Sequence, residues 1–147
     1  MTTASWDEYI DDLIARSNLG CGNSHIDKAC IISIENGERW NTDSHSKALK
    51  LSQAEATNIA KCFASKNFSQ FIESGVVAEG CKYVFLKEDD KKIVYTIKKG
   101  HGRLTLGSSK TAIVIAHSLS EDEHLGILGR ADQAVLTITR HMESLNV

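Results

Sequence analysis

Histidine and cysteine are the residue types here best suited to catalysis or metal binding, and neither is spaced for it. The six histidines, His25, His45, His101, His117, His124 and His141, form no H-x-x-x-H or H-E-x-x-H pair, so no local metal motif exists. Cys21, Cys30, Cys62 and Cys81 contain no C-x-x-C and no zinc-like spacing. They are expected to be reduced, mostly buried thiols. Gly107-Ser108-Ser109-Lys110-Thr111 resembles the end of a phosphate loop, but that loop needs adjacent Gly-Lys and a following helix. Here an apolar strand pattern follows, so the segment reads as a hairpin turn. Gly100-His101-Gly102 is likewise a turn. No G-x-S-x-G nucleophile elbow occurs. No catalytic residue, metal or cofactor is expected.

The aromatic residues are the sharper signal. Trp6 and Tyr9 stand three apart, which makes them neighbours on one helical surface. Trp40, the other tryptophan, follows an Asn-Gly turn. Taken alone, each ring reads as core before it reads as a site. Gathered beside an apolar terminal helix, they would build a groove for an extended polyproline II ligand. That ligand loses little entropy on binding, and flat rings offer it apolar contact.

Charge is unevenly spread. From Lys82 to Lys110, eight basic residues (Lys82, Lys87, Lys91, Lys92, Lys98, Lys99, Arg103, Lys110) stand against Glu88, Asp89 and Asp90. Asp7, Glu8, Asp11 and Asp12 make the opening segment acidic. A strand face with this charge suits an acidic partner or anionic lipid headgroups. Lysines that shield strand edges from aggregation would give the same pattern.

The elements that must position these residues follow from periodicity. Ser5-x-x-Glu8 reads as a capping box, and Trp6, Tyr9, Ile10, Leu13 and Ile14 follow the helical i, i+3, i+4, i+7, i+8 pattern. Asn18 to Asn23 reads as a stop and loop. Ala29 to Ile34 is a short β-branched run before Glu35-Asn36-Gly37-Glu38, a hairpin signal. A second capping box, Ser52-x-x-Glu55, opens a helix with Ala56, Ile59, Ala60 and Phe63 on one face. Phe71 to Ser118 reads as successive strands, with turns at Glu88-Asp89-Asp90 and Lys99 to Gly102. Leu128, Ala131, Val135, Ile138, Met142 and Leu145 recur at helical spacing and close the chain. Short connections between strands require antiparallel neighbours. The expected fold class is α+β: a central antiparallel sheet, with N- and C-terminal helices on one face and a shorter helix on the other.

Length and composition bound the rest. The 147 residues suit one domain, 1–147, with a single core. Apolar content of 41% and charge content of 24% are those of globular chains. Net charge of −2 argues against a nucleic-acid partner. No apolar run approaches the roughly 20 residues of a membrane span, so an integral membrane protein is not expected. The opening residues lack a signal peptide's basic and apolar regions, and a cytoplasmic monomer is expected. Proline is absent, so any polyproline helix the aromatic groove recognises must come from a partner.

Four segments together resemble the profilin family. Ser5-Trp6-Asp7-Glu8-Tyr9-Ile10-Asp11-Asp12-Leu13 is similar to its N-terminal signature. Ala29 through Trp40 matches its strand–turn–Trp segment without a gap, and Ile97 to Thr105 and Ser109 to His117 resemble its later strands. The resemblance runs in order along essentially the whole chain. It implies a cytoplasmic, cytoskeleton-associated protein that binds monomeric actin on one face and proline-rich proteins on another, with polyphosphoinositides competing. By resemblance the proline site falls on Trp6, Tyr9, Trp40, His141 and Met142. The actin face falls on Ile72, Lys82, Phe85, Lys87, Lys98, Gly129, Asp132 and Gln133. Phosphoinositide headgroups would engage Lys82, Lys87, Lys98, Lys99 and Arg103. The family often ends in an aromatic residue that completes the groove, whereas this chain ends Leu145-Asn146-Val147, so one ring is expected to be missing. The rival expectations are an adaptor of the same fold that has lost one binding face, and a small Cys/His hydrolase whose pair is assembled by the fold.

Overall fold

A computed structural model describes residues 4–17, 26–41, 46–118 and 130–147. Helix α1 (Ala4–Ser17) opens it, followed by strand β1 (Ile26–Ser33) and helices α2 (Gln53–Ser65) and α3 (Ser69–Ser74). Strands β2 (Val76–Ala78), β3 (Cys81–Asp89), β4 (Ile93–Lys98), β5 (Gly102–Ser108) and β6 (Ala112–Ser118) follow, and helix α4 (Arg130–Ser144) comes last. These strands form one six-stranded sheet in the order β1-β6-β5-β4-β3-β2, antiparallel throughout. Strands β2 to β6 are neighbours in sequence order, and only β1 stands out of turn, at the end of the sheet beside β6.

The sheet separates two apolar layers. Ala29 and Ile31 of β1 and Val114 and Ala116 of β6 face α1 and α4, where they meet Ile10, Leu13, Val135, Ile138 and Met142. Cys30, Ile32, Ile113 and Ile115 point the other way, into Ile59, Phe63 and Phe71 of α2 and α3. A strand covered on both faces has no polar side to alternate with, which is why β6 reads as a continuous apolar run. The expected α+β arrangement is borne out, with α3 as a second element on the shorter-helix face.

Three local readings change. Phe71 lies in a helix rather than a strand, because Phe68 and Phe71 stack on each other at 5.7 Å and both rings meet Phe63. The three-residue spacing thus follows a helical face, not a strand. Strand β3 runs to Asp89, and the tight turn is at Asp90 and Lys91, both with positive φ (54° and 58°). Two positive-φ residues give the twist that matches flanking strands. Helix α1 already includes Ala4, which places Ser5 inside the first turn instead of at the cap. The stop signal at Asn18 to Asn23 lies outside the described residues, as does Leu128.

The Asn-Gly turn is present in a longer form. Gly37 donates its amide to Ser33 O, and Ser33 donates to Glu38 O. Gly37 has φ +76°, and a Cβ there would sit 2.8 Å from backbone atoms of Ala56. Glycine is required by both conformation and space.

The second capping box is fully formed. Ser52 accepts from the Glu55 amide, and the Glu55 carboxylate accepts from the Ser52 amide at 2.9 Å. The same carboxylate also accepts from the amides of Glu79 (3.0 Å) and Gly80 (2.8 Å). One side chain thus ties the start of α2 to the β2–β3 turn. Replacing Glu55 by alanine strips partners from three amides and should cost about 1–3 kcal/mol. The midpoint of urea denaturation reads this loss; a change within error would mean that water replaces all three bonds.

Candidate functional site: an aromatic row and an uncovered strand face

Helix α1 presents Trp6 and Tyr9 on the rim of its buried Ile10–Leu13 stripe. Their ring centroids lie 5.5 Å apart. Trp40 reaches the same place by a different route. The turn after β1 brings residues 39–41 back along that strand, where the Trp40 amide donates to Ile31 O at 2.9 Å. Asn41 Oδ1 in turn accepts from the Ile31 amide at 2.9 Å. These two bonds satisfy the strand edge and fix the indole. Its ring lies 4.7 Å from that of Trp6. On the other side, Tyr9 lies 6.3 Å from the His141 ring of α4. Trp40, Trp6, Tyr9 and His141 therefore form one continuous row, with the first three half-buried and His141 exposed.

Met142 departs from the expectation. It is 0% exposed and packs in the core between α1 and α4, because it shares the inward helical face with Val135 and Ile138. It supports the row from beneath and offers no surface to a ligand. Val147 packs against the same core. Its amide donates to Met142 O and its carbonyl accepts from the Lys110 amide at 2.8 Å. The chain thus ends folded back on the β5–β6 turn, carrying an aliphatic side chain.

Flat rings with an exposed imidazole provide apolar stacking surface, which suits extended proline-rich chains. Two of the thiols, Cys30 and Cys62, are shifted away from nucleophilic reactivity. Burial pushes the Cys30 thiol up to about 12, with the Arg39 charge opposing and the Glu79 charge adding to it. Burial raises Cys62 too. A reactive thiolate needs the opposite shift. Cys81 is the more accessible of the three cysteines described, and Cys21 lies outside the described residues.

The second surface is an uncovered part of the sheet. Helix α4 packs over β5 and β6, and among the described residues no helix packs on that side of β2, β3 and part of β4. Register places Val84 beside Ile97 and Lys87 beside Tyr95, and Val77 opposite Lys82. Val84 is 62% exposed, and Val77 and Leu86 are also exposed. A bulge between Phe85 and Lys87 swings Leu86 outward and sets the Lys87 ammonium 5.0 Å from the Tyr95 ring centroid. Bulges re-aim side chains in this way. The result is an apolar strip bordered by Lys82 and Lys87. Val77, Val84 and Leu86 were not among the expected site residues. Two-residue alternation from Lys82 pointed to Val84, but only the bulge decides where Leu86 goes.

The remaining expected residues divide. Gln133 is exposed in the first turn of α4. Asp132 is buried, accepting from Thr105 Oγ1 at 2.5 Å and lying 3.9 Å from Arg103. It anchors α4 to β5 and holds Arg103 in place, so its carboxylate is not presented outward. Phe85 packs partly buried against the α2–α3 core, on the opposite side of the sheet from Lys82 and Lys87. Lys98 pairs with Gly102 at the β4–β5 turn, next to Lys99. Ile72 is 66% exposed on α3, which packs against β3. Gly129 lies outside the described residues.

Comparison with known proteins agrees with this geometry. A family profile described as Profilin matches residues 4–142. Profilin from Heliocidaris crassispina is 50% identical over 143 residues, covering 97% of this chain and 99% of the relative. Among solved structures, Acanthamoeba castellanii profilin II shares the fold at a TM-score of 0.75 and 22% identity, with 97% and 99% of the two chains covered. Mouse profilin IIa, solved in complex with a double repeat from the FH1 domain of mDia1, superposes at a TM-score of 0.65 with 15% identity, again over 97% and 99%. The chain belongs to the profilin family of actin-binding regulators.

Proposed function

We propose that this profilin binds monomeric actin through the uncovered β2–β4 face and proline-rich segments through the aromatic row, as a cytoplasmic monomer with no catalysis of its own. The observation that carries the reading is the continuous row Trp40–Trp6–Tyr9–His141 on the surface. The mouse relative's complex with an FH1 repeat supports a proline-rich ligand for it. Helix α4 carries Gln133, which resemblance assigns to the actin face, and His141 of the aromatic row, about 12 Å apart along its axis. That separation leaves both surfaces free to be occupied together, so an actin monomer could be carried by a proline-rich partner to a filament end. Labelled monomeric actin and a poly-proline column test the two halves separately. Retention on the column with no effect on actin polymerisation would leave an adaptor that has lost one face.

Phosphoinositide headgroups would engage Lys82 and Lys87 on the strand face, Lys98 and Lys99 at the β4–β5 turn, and Arg103 of β5, which lies beside Asp132. The contribution is Coulombic and exposed, so it should be screened by salt. Raising ionic strength from about 0.1 M to 1 M shortens the screening length from about 10 Å to 3 Å. Sedimentation with vesicles containing phosphoinositide should fall severalfold over that range, and the double variant K82A/K87A should start lower and change less. Binding insensitive to salt would rule out this mode.

A further inference from the structure

His117 is one titratable side chain that neither surface uses. It is 7% exposed at the end of β6, and both of its ring nitrogens are engaged. Nδ1 lies 2.5 Å from the Asp27 carboxylate and Nε2 lies 2.6 Å from the backbone carbonyl of His101. Neither partner can donate: a carboxylate oxygen and a peptide carbonyl are acceptors. A neutral imidazole has one N–H and one lone pair, so it can satisfy only one of them. Both contacts are hydrogen bonds only when the ring is an imidazolium.

The backbone is built around this arrangement. Asp27 occupies a register shift in β1, between Ile26 and Lys28, which turns its side chain toward β6. His101 belongs to the β4–β5 turn, closed by its amide bonding to Lys98 O at 2.9 Å and flanked by Gly100 and Gly102 at φ +84° and +99°. One ring therefore links β1, β6 and the turn, three parts of the chain that are distant in sequence.

We infer that His117 is a proton-dependent clamp: protonated, it fastens the lysine-bearing β4–β5 turn to the β1 bulge, and deprotonated, it lets the turn go. On losing a proton the ring keeps the N–H facing Asp27, whose charge makes it the stronger acceptor. Nε2 then turns a lone pair toward the His101 carbonyl at hydrogen-bond distance, and that contact becomes repulsive. The turn, hinged at two glycines, is the part free to move. Lys98 and Lys99 travel with it. The clamp goes beyond the ligand reading above and stands whether or not the turn meets a lipid.

Among the described residues, the surroundings are accounted for. Asp27 and Lys28 approach from β1, and Lys28 is itself bound to Glu79 at 3.1 Å. Tyr83 of β3 meets the ring edge-on at 6.0 Å, near Cys81. Its phenol is pushed up to about 12, chiefly by burial, with Cys81, Glu79 and Asp27 adding, so it stays neutral. The turn brings Lys98, Lys99, Arg103 and the His101 ring itself. Burial alone would depress the His117 pKa and Lys28 opposes its charge. The Asp27 hydrogen bond and charge, with the His101 carbonyl, outweigh both and raise it above its ordinary 6.5. The stabilisation is therefore complete below about pH 6.5 and is lost as pH rises through the folded-state value.

The test is ring-nitrogen NMR on the full chain from pH 5.5 to 9, with amide exchange measured in parallel. Both His117 nitrogens should be protonated at pH 6.5, with a midpoint above that. After correction for the intrinsic base-catalysed rate, the His101 amide should exchange about tenfold faster above the midpoint, the equivalent of one hydrogen bond. Asp27→Asn should lower the midpoint. His101→Gln keeps the carbonyl and removes the turn's own imidazole, so the turn's pH response should persist. A neutral His117 at pH 6.5, a midpoint indifferent to Asp27→Asn, or a response abolished by His101→Gln would each overturn the clamp.

Discussion

Replacing Trp6 by alanine should weaken binding of a proline-rich peptide by about thirtyfold or more, while leaving actin binding unchanged. Trp6 is the centre of the row, 4.7 Å from Trp40 and 5.5 Å from Tyr9. Its removal opens a gap in the middle of the stacking surface, rather than trimming one end. Central aromatic anchors at interfaces typically carry 2 kcal/mol or more, which is about thirtyfold in affinity. Because the ring is only half-buried, the accompanying loss of stability should be smaller, about 1–2 kcal/mol. Trp40 remains as a fluorescence reporter, so titration of the variant with peptide reads the affinity directly. Trp6→Phe, which keeps a flat ring, should recover much of the loss. Equal loss of peptide and actin binding would show that Trp6 serves the core and not the groove.

The largest effect on folding is expected on the other side of the sheet. Phe63→Ala should cost about 3–5 kcal/mol. Phe63 is 1% exposed and meets Phe68 edge-on at 5.1 Å and Phe71 at 6.2 Å. The three rings fill the space between α2, α3 and the sheet, and α3 has only six residues with which to hold its place. Truncation leaves a cavity that a short helix can close only by leaving the sheet. Set against the 5–15 kcal/mol that a typical domain has in total, such a loss brings the protein near its folding threshold. Urea denaturation gives the magnitude. Per folded molecule, proline-peptide affinity should be unchanged, since the sheet lies between this cluster and the aromatic row. The two variants are thus expected to separate binding from stability in opposite directions.

Much of this architecture is legible in the residues. The Ser52–Glu55 capping box is a local signal, and it forms because every atom it needs lies within four residues. The helical stripes of α1 and α4 and the apolar runs of β1 and β6 depend only on period and hydrophobicity. Phe71 by itself is compatible with a strand; its stacking on Phe68 and the contact of both rings with Phe63 select a helix. Met142 and Asp132 show the same limit at the candidate sites. Resemblance placed both on binding surfaces, but helical phase turns Met142 into the core, and Thr105 with Arg103 holds Asp132 beneath the surface.

By itself the sequence determined the alternation of elements, the pairing of Trp6 with Tyr9 and the lack of any local catalytic or metal motif. All of these follow from spacing along one helix or strand. Resemblance assigned Trp40 and His141 to the site, but only the tertiary structure decided that their rings join Trp6 and Tyr9 in one row, that a bulge exposes Leu86 beside Lys87, and that His117 meets Asp27 across 90 positions of chain. Those contacts join segments that are far apart in sequence. Their geometry depends on sheet register and helix docking, which no local window of residues contains.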